Sequence, residues 1–159
     1  ANALARLVAG LKEVARVAEP AGVPLAVETH DDWCAGADMR AVIEGVDSPA
    51  VGVCWDIANS HFTEPIEQTF AAIHTRIVHV HFKDALRKTD GSIHSVLPGT
   101  GEVNLEKGLA LLKSIGYQGY LSFEWEKKWE PELAEPEVAF PRYLQFTAGL
   151  MQAAGIPRG

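Results

Sequence analysis

The pattern of hydrophobic and polar residues predicts helices and strands that alternate along this chain. The first segment, "LARLVAGLKEVARVAEPAG", has apolar residues at helical spacing and ends at Pro20 and Gly22. Further helices are predicted in "MRAVIEGVDSPA" and in "EPIEQTFAAIHTR", where Pro65 takes the first helical position. The segment "GSIHSVLPGTGEVNLEKGLALLKSIGYQG" is predicted as a long loop followed by a helix. A last helix is predicted in "EVAFPRYLQFTAGLMQAAG", where Pro141 interrupts the pattern. The predicted strands are "VPLAVETHDDW", "VGVCWDIANSH", "IVHVHFKD" and "YLSFEWE". This order favours parallel strands joined by right-handed crossovers.

Each predicted strand has one apolar face and one face that changes from small to polar residues. The second faces carry Ala26, Glu28 and His30; Gly52, Cys54 and Asp56; His79, His81 and Lys83; and Ser122, Glu124 and Glu126. Parallel strands place their carboxyl ends at one edge, where parallel α/β folds have their active sites. We therefore expect Glu28, Asp56, His81 and Glu124 to converge on one point.

Three carboxylates and one imidazole suit a single divalent cation of hard to borderline character. Mn²⁺, Mg²⁺ and Co²⁺ fit this donor set, with Mn²⁺ preferred, and Zn²⁺ also accepts both ligand types. The alternative is structural, because acidic residues at strand ends are often caps or ion-pair partners. The placement of such residues on four successive strands favours the metal.

Composition excludes several classes of function. The chain of 159 residues has a formal net charge of −7, which disfavours nucleic acid as a partner. Its two cysteines form no CxxC pattern, so a disulfide framework or a thiolate zinc site is not expected. The sequence shows no signal peptide and no apolar run near the ~18 residues of a membrane span, so we expect no membrane partner and a cytoplasmic location.

Five motifs in order carry a family resemblance: "LAVETHDDW", "GVCWDIANSH", "IVHVHFKD", "LPGTGEV" and "YLSFEWEKKW". The set resembles the second half of the xylose isomerase-like TIM-barrel superfamily, from the opening helix to about residue 145. That superfamily includes sugar (phosphate) isomerases and epimerases of the D-tagatose 3-epimerase type and inosose dehydratases. The resemblance implies an α/β fold of parallel (β/α) TIM-barrel type. It also implies a single domain over residues 1–159, about half a barrel, equivalent to strands five to eight with their helices.

The resemblance also implies an activity, that of a metal-dependent sugar or sugar-phosphate isomerase or epimerase. Its metal ligands would be Glu28, Asp56, His81 and Glu124. A cation held there would supply the Lewis acidity that makes a C–H bond beside the substrate carbonyl easier to ionise. Glu28 and Glu124 would also be the catalytic acid and base. Arg87, expected in a loop, matches a family arginine that binds substrate oxygens.

The chain departs from the epimerase pattern at one position. Those enzymes have a histidine three residues after the metal-binding aspartate, and this chain has Asn59 there. Asn59 can hydrogen-bond a substrate hydroxyl but cannot carry a proton. His30 either contacts substrate in its place or caps the strand, and Lys83 either contacts substrate or balances the carboxylates. The glycine-rich segment "PGTGEV" is expected to lie over the mouth of the site.

Half a barrel leaves two unpaired sheet edges, which are open to association. Either the chain is a fragment of a longer protein, or copies associate, and we expect the isolated chain to form a homo-oligomer. Three alternatives to an isomerase stay open: a polyol dehydratase of the inosose type, a metal-dependent hydrolase on the same scaffold, and a non-catalytic half barrel that binds metal or sugar.

Overall fold

The computed structural model describes residues 2–156 and divides the chain into two compact units, Ala1–Val80 and His81–Gly159. The helices are α1 (Ala3–Ala18), α2 (Gly36–Val46), α3 (Ile57–His61), α4 (Ile66–Ile73), α5 (Leu105–Ser114) and α6 (Pro136–Ala153). The strands are β1 (Leu25–Glu28), β2 (Val51–Asp56), β3 (Ile77–His81), β4 (Asp84–Arg87), β5 (Ile93–Val96) and β6 (Leu121–Ser122). The single domain predicted over 1–159 stays a prediction, and residues 1 and 157–159 of it lie outside the described part.

The first unit is built on the strand order β1-β2-β3. β1 and β2 are parallel, with Leu25 opposite Val51 and Glu28 opposite Cys54. Every residue of β2 is buried, as expected for a strand covered on both faces. A Cβ at Gly52 would lie 2.5 Å from the Val78 side chain, so glycine lets β3 approach β2 closely here. Helix α2 packs against both α1 and α4.

The second unit begins at the last residue of β3 and contains β4 to β6 with α5 and α6. Directly after β3, the N–H of Phe82 donates to the carbonyl of Ser122 at the end of β6 (2.8 Å). β4 and β5 form an antiparallel hairpin, in which Asp84 lies opposite Val96. We predicted a long loop for the segment that holds β5, and that prediction was wrong. The hairpin closes at Asp90-Gly91, where Gly91 has a φ of +89°.

The five predicted helices and the positions of the four predicted strands are confirmed, with corrections at their ends. The strand predicted through "VGVCWDIANSH" stops at Asp56, because the Asp56 side chain caps the short helix α3. Pro65 is the N-cap of α4 rather than its first residue. Helix α6 is not interrupted, since it continues through Pro141. The strand predicted in "YLSFEWE" is only two residues long.

Among residues 2–156, no helix has both the length and the apolar character needed to cross a membrane.

Candidate functional site

Two of the predicted ligands end the paired strands of the first unit. Glu28 is the last residue of β1, and Asp56, fully buried, is the last residue of β2. The buried Thr29 joins the two strand ends: its hydroxyl accepts from the N–H of Asp56 (2.9 Å) and donates to the Asp56 carbonyl (3.3 Å). The backbone around both carboxylates is therefore fixed by the strand pairing and by one buried side chain.

Asn59 is also tied to the end of β2. Its backbone N–H donates to Asp56 Oδ1 (2.8 Å), which caps α3, and its side-chain nitrogen donates to the carbonyl of Thr29 (3.1 Å). One carboxylate oxygen of Asp56 thus satisfies a helix terminus. Contact of Asn59 with a substrate hydroxyl stays a prediction.

His30 lies just beyond β1, before the 3₁₀ turn Asp31–Trp33. Its side chain is 52% exposed, and Nδ1 lies 3.1 Å from Asp31 Oδ2. No side-chain hydrogen bond from His30 caps the turn. Its predicted contact with substrate is not tested by this geometry.

The other two predicted ligands belong to the second unit, where they form one ionic cluster with Lys83 and Glu126. Lys83 is 4% exposed, and its Nζ lies 2.5 Å from Glu124 Oε2 and 2.8 Å from Glu126 Oε1. His81 Nδ1 lies 3.5 Å from the same Glu124 oxygen. The hydrogen bond from His81 and the adjacent ammonium of Lys83 lower the pKa of Glu124 to about 2, although partial burial acts in the other direction. Glu124 is therefore ionised at neutral pH.

Arg87 was predicted in a loop, and the structure corrects this. It is the last residue of β4 in the hairpin, and its Nη1 donates to the carbonyl of Gly91 (3.2 Å) across the turn. The correction follows from the missed strand β5. A role for Arg87 in binding substrate stays a prediction.

Asp84 organises the glycine-rich loop, and the sequence analysis missed it. This buried carboxylate accepts four backbone hydrogen bonds, from Ala85 (3.0 Å), Gly99 (2.9 Å), Gly101 (2.9 Å) and Val103 (3.3 Å). A Cβ on Gly101 would lie 2.2 Å from Asp84 Oδ1, so only glycine fits there. The signal in the sequence was the aspartate that ends "IVHVHFKD", together with the two closely spaced glycines of "PGTGEV".

A further group in the second unit contains His94, Glu130 and Glu132, whose possible ligand atoms all lie within 4.8 Å of one another. Both ring nitrogens of His94 already have partners: Nδ1 lies 2.7 Å from Glu130 Oε2, and Nε2 lies 3.0 Å from the hydroxyl of Ser92. This group joins the hairpin to the loop that precedes α6.

The donor set of the four predicted ligands fits a divalent cation. Glu28, Asp56, His81 and Glu124 each offer one ligand atom, three carboxylate oxygens and one imidazole nitrogen. Mn²⁺, Mg²⁺ and Co²⁺ accept this mixture, and Zn²⁺ also binds both types. The residues therefore fit the kind of metal that the sequence predicted.

Comparison with known proteins places this architecture. Residues 1–144 match the family described as xylose isomerase-like TIM barrel. An inosose dehydratase from Yersinia enterocolitica is 24% identical over 91% of this chain and 55% of its own length. The crystal structure of a xylose isomerase domain protein from Planctomyces limnophilus superposes with a TM-score of 0.76 and 26% identity, over 94% of this chain and 52% of that one.

A D-tagatose 3-epimerase-like protein shares the same fold, with a TM-score of 0.79 and 19% identity over 96% of this chain and 55% of that protein. The predicted fold class, a parallel β/α architecture of TIM-barrel type, is confirmed by these matches. The chain spans about half the length of these relatives. Most of these relatives have the names of enzymes, namely dehydratases and epimerases.

Proposed function

Because this chain belongs to the xylose isomerase-like TIM-barrel family, we propose that it carries the metal-binding half of a divalent-metal-dependent sugar or sugar-phosphate isomerase or epimerase. One observation carries the proposal. Glu28, Asp56 and His81 are the last residues of β1, β2 and β3, and Glu124 follows the end of β6 by two residues. Active sites in this fold lie at the carboxyl ends of the strands, which is where these four ligand-type side chains occur.

The proposed ligands are Glu28, Asp56, His81 and Glu124, with Mn²⁺ preferred and Mg²⁺, Co²⁺ or Zn²⁺ possible. When bound, the cation supplies Lewis acidity that makes a C–H bond beside a substrate carbonyl easier to ionise. The residues of the chain supply the remaining steps.

Proton transfer is assigned to two carboxylates. Glu124, which is ionised at neutral pH, is the proposed base that accepts a proton, and its lowered pKa makes it a weak base in the chain without metal. Glu28, at the end of β1, is the second acid or base, which returns a proton to the opposite face of the enediolate. Return of the proton to the same carbon from the opposite face gives an epimer. Return to the neighbouring carbon gives a keto–aldo isomer.

Substrate positioning is assigned to Arg87, Asn59 and His30, which offer hydrogen bonds to hydroxyl or phosphate oxygens. Contact of Lys83 with substrate stays a prediction, because its ammonium is buried between Glu124 and Glu126. Asn59 holds no transferable proton, so its contribution is orientation. The chain spans 55% of the inosose dehydratase and 52% of the xylose isomerase domain protein, so the whole activity is a proposal.

A polyol dehydratase is the second candidate, favoured by the similarity to an inosose dehydratase over 91% of the chain. Dehydration begins with the same removal of a proton beside a carbonyl. It then differs, because the neighbouring hydroxyl leaves as water and a double bond forms.

Proton NMR in D₂O tests both candidates. The chain is incubated in D₂O with Mn²⁺ and with each compound of a panel of ketoses, aldoses, their phosphates and a keto-inositol. The metal is then removed with chelator before the spectra are recorded. Deuterium at the carbon beside the carbonyl together with an epimer or isomer supports the proposal, and a new alkene proton supports the dehydratase. Glu28→Gln and Glu124→Gln should abolish exchange, whereas Glu132→Gln, an exposed position, should not. Manganese binding without any exchange would favour the non-catalytic half barrel.

A further inference from the structure

We propose that Lys83 is a positioning residue, which holds Glu124 so that one carboxylate oxygen stays directed at the cation. The inference rests on the proposed function for its meaning, since it concerns one of the four proposed ligands. It gives Lys83 a role that differs from contact with substrate.

The backbone alone does not fix Glu124. Strand β6 ends at Ser122, and residues 123–126 have neither helical nor strand structure. The hydrogen bond from Phe82 to Ser122 lies two residues before Glu124. A ligand in such a segment needs side-chain contacts to keep its place, because each residue without a ladder retains rotational freedom.

Lys83 supplies such contacts from a buried position between β3 and β4. Its ammonium is buried and bridges Glu124 and Glu126, which are two residues apart and so lie on the same side of an extended segment. A buried ammonium requires such partners, because an uncompensated charge in the interior is costly. The bridge therefore fixes both the lysine and the 124–126 segment.

The contacts are directed at one oxygen. Lys83 Nζ and His81 Nδ1 both approach Glu124 Oε2, at 2.5 Å and 3.5 Å. These two contacts on one oxygen restrict the rotation of the Glu124 carboxylate, and so they also restrict the direction of its other oxygen. Residues that orient a ligating carboxylate by a hydrogen bond commonly control metal affinity.

A rival role for Lys83 is that of a counter-ion that only neutralises two carboxylates. The sign of a single substitution does not separate the two roles, since loss of a positive charge also attracts a cation. The coupling between Lys83 and Glu124 does separate them. If Lys83 positions Glu124, Glu124 contributes less to Mn²⁺ affinity once Lys83 is removed. If Lys83 only neutralises Glu124, the contribution of Glu124 stays the same or increases.

Calorimetric titration with Mn²⁺ measures that coupling in a double-mutant cycle of K83M and E124Q. We expect E124Q to weaken Mn²⁺ binding by at least about tenfold in the wild-type background and by less than about threefold in the K83M background. An equal or larger loss in the K83M background would overturn the inference. If K83M folds poorly, as judged by circular dichroism, K83M/E126Q removes the facing like charges and serves as the background.

K127M is the matched control. Lys127 belongs to the same loop and forms an ion pair with Glu135 (3.0 Å), but it has no contact with Glu124 among the described residues. The full effect of E124Q should persist in its background. A reduced effect there as well would mean that general loosening of the loop, not Lys83, controls the ligand.

Backbone ¹⁵N order parameters of residues 122–126, measured without metal, give a second readout. K83M should lower the order parameters of this segment and K127M should not. If the wild type binds no Mn²⁺, the proposed function fails, and the order parameters alone decide whether Lys83 holds the segment. Unchanged order parameters in K83M would contradict that role.

Discussion

The two compact units hold their candidate ligands in different ways. In the first unit, Glu28 and Asp56 end two paired, parallel strands, and Thr29 links those ends through its hydroxyl, which hydrogen-bonds the N–H and the carbonyl of Asp56. In the second unit, Glu124 follows a strand of only two residues and is held by the ammonium of Lys83 and by a contact with the ring of His81. The first arrangement depends on backbone pairing, and the second depends on ionised side chains.

This difference determines which candidate ligands are sensitive to pH and to nearby charge. A ligand fixed by a strand ladder tolerates changes of pH and of nearby charge, because amide hydrogen bonds do not titrate in the range where proteins are folded. A ligand fixed by ion pairs depends on every charge in its cluster. We therefore expect the second unit to respond most strongly to substitutions of charged residues.

The largest effect is expected for Asp84→Ala in the second unit. Four backbone N–H groups would lose one buried charged acceptor, so we expect the free energy of unfolding to fall by about 3–5 kcal/mol. Urea unfolding followed by tryptophan fluorescence measures this. Asp84→Asn, which keeps one carbonyl oxygen, should lose roughly half as much. A loss below about 1 kcal/mol in the alanine variant would show that the glycine-rich loop does not depend on Asp84.

The second largest effect is expected for Lys83→Met, which should lower the free energy of unfolding by about 3 kcal/mol. Removing one partner from a buried ionic cluster leaves Glu124 and Glu126 facing each other, and this estimate takes the low end of the usual range because both carboxylates are one-third exposed. The same urea experiment applies. Lys127→Met should cost less than about 1 kcal/mol, since its ion-pair partner Glu135 is largely exposed. Equal losses in the two variants would remove the distinction between them.

In the first unit, Thr29→Val should cost about 1–3 kcal/mol. Valine keeps the volume of threonine but leaves the N–H of Asp56 without its buried acceptor. Thr63→Val is the control, because its hydroxyl donates to a carbonyl at an exposed site, and a change within about 0.5 kcal/mol is expected. If Thr29→Val is as neutral as the control, the strand ends do not need this link.

The smallest effect is the pH dependence due to Glu124. Its pKa is about 2 in the folded chain and near 4.5 when unperturbed, so its contribution to stability is complete above pH 5 and is lost as the pH falls towards 2. With screening by solvent, we expect about 1 kcal/mol. Urea unfolding between pH 6 and pH 3 in the presence of chelator should show this extra loss in the wild type and not in Glu124→Gln. Parallel curves would mean that the ion pairs contribute nothing to folding.

Much of the fold follows from local pattern. Helical spacing located five helices, and the alternation of apolar and polar residues located β1, β2 and β3 and placed Glu28, Asp56 and His81 near their carboxyl ends. Such signals are strong because each depends on a continuous run of residues that bury one face.

The remaining features depend on contacts between distant residues. The hairpin of β4 and β5 was missed because its strands are four residues each and surround a polar turn. β6 was predicted too long, since Glu124 and Glu126 continue the alternation while Lys83 takes the place of a backbone ladder. The role of Asp84 appears only when the loop that contains Gly99 and Gly101 folds back onto it.

Calorimetric titration of the chain with Mn²⁺ tests the central claim most directly. The four proposed ligands predict one Mn²⁺ per chain in the wild type, and binding weakened at least about tenfold in each of Glu28→Gln, Asp56→Asn, His81→Gln and Glu124→Gln. Glu132→Gln should bind as the wild type does. No binding in the wild type, or binding that all four substitutions leave unchanged, would contradict a metal site formed by these residues.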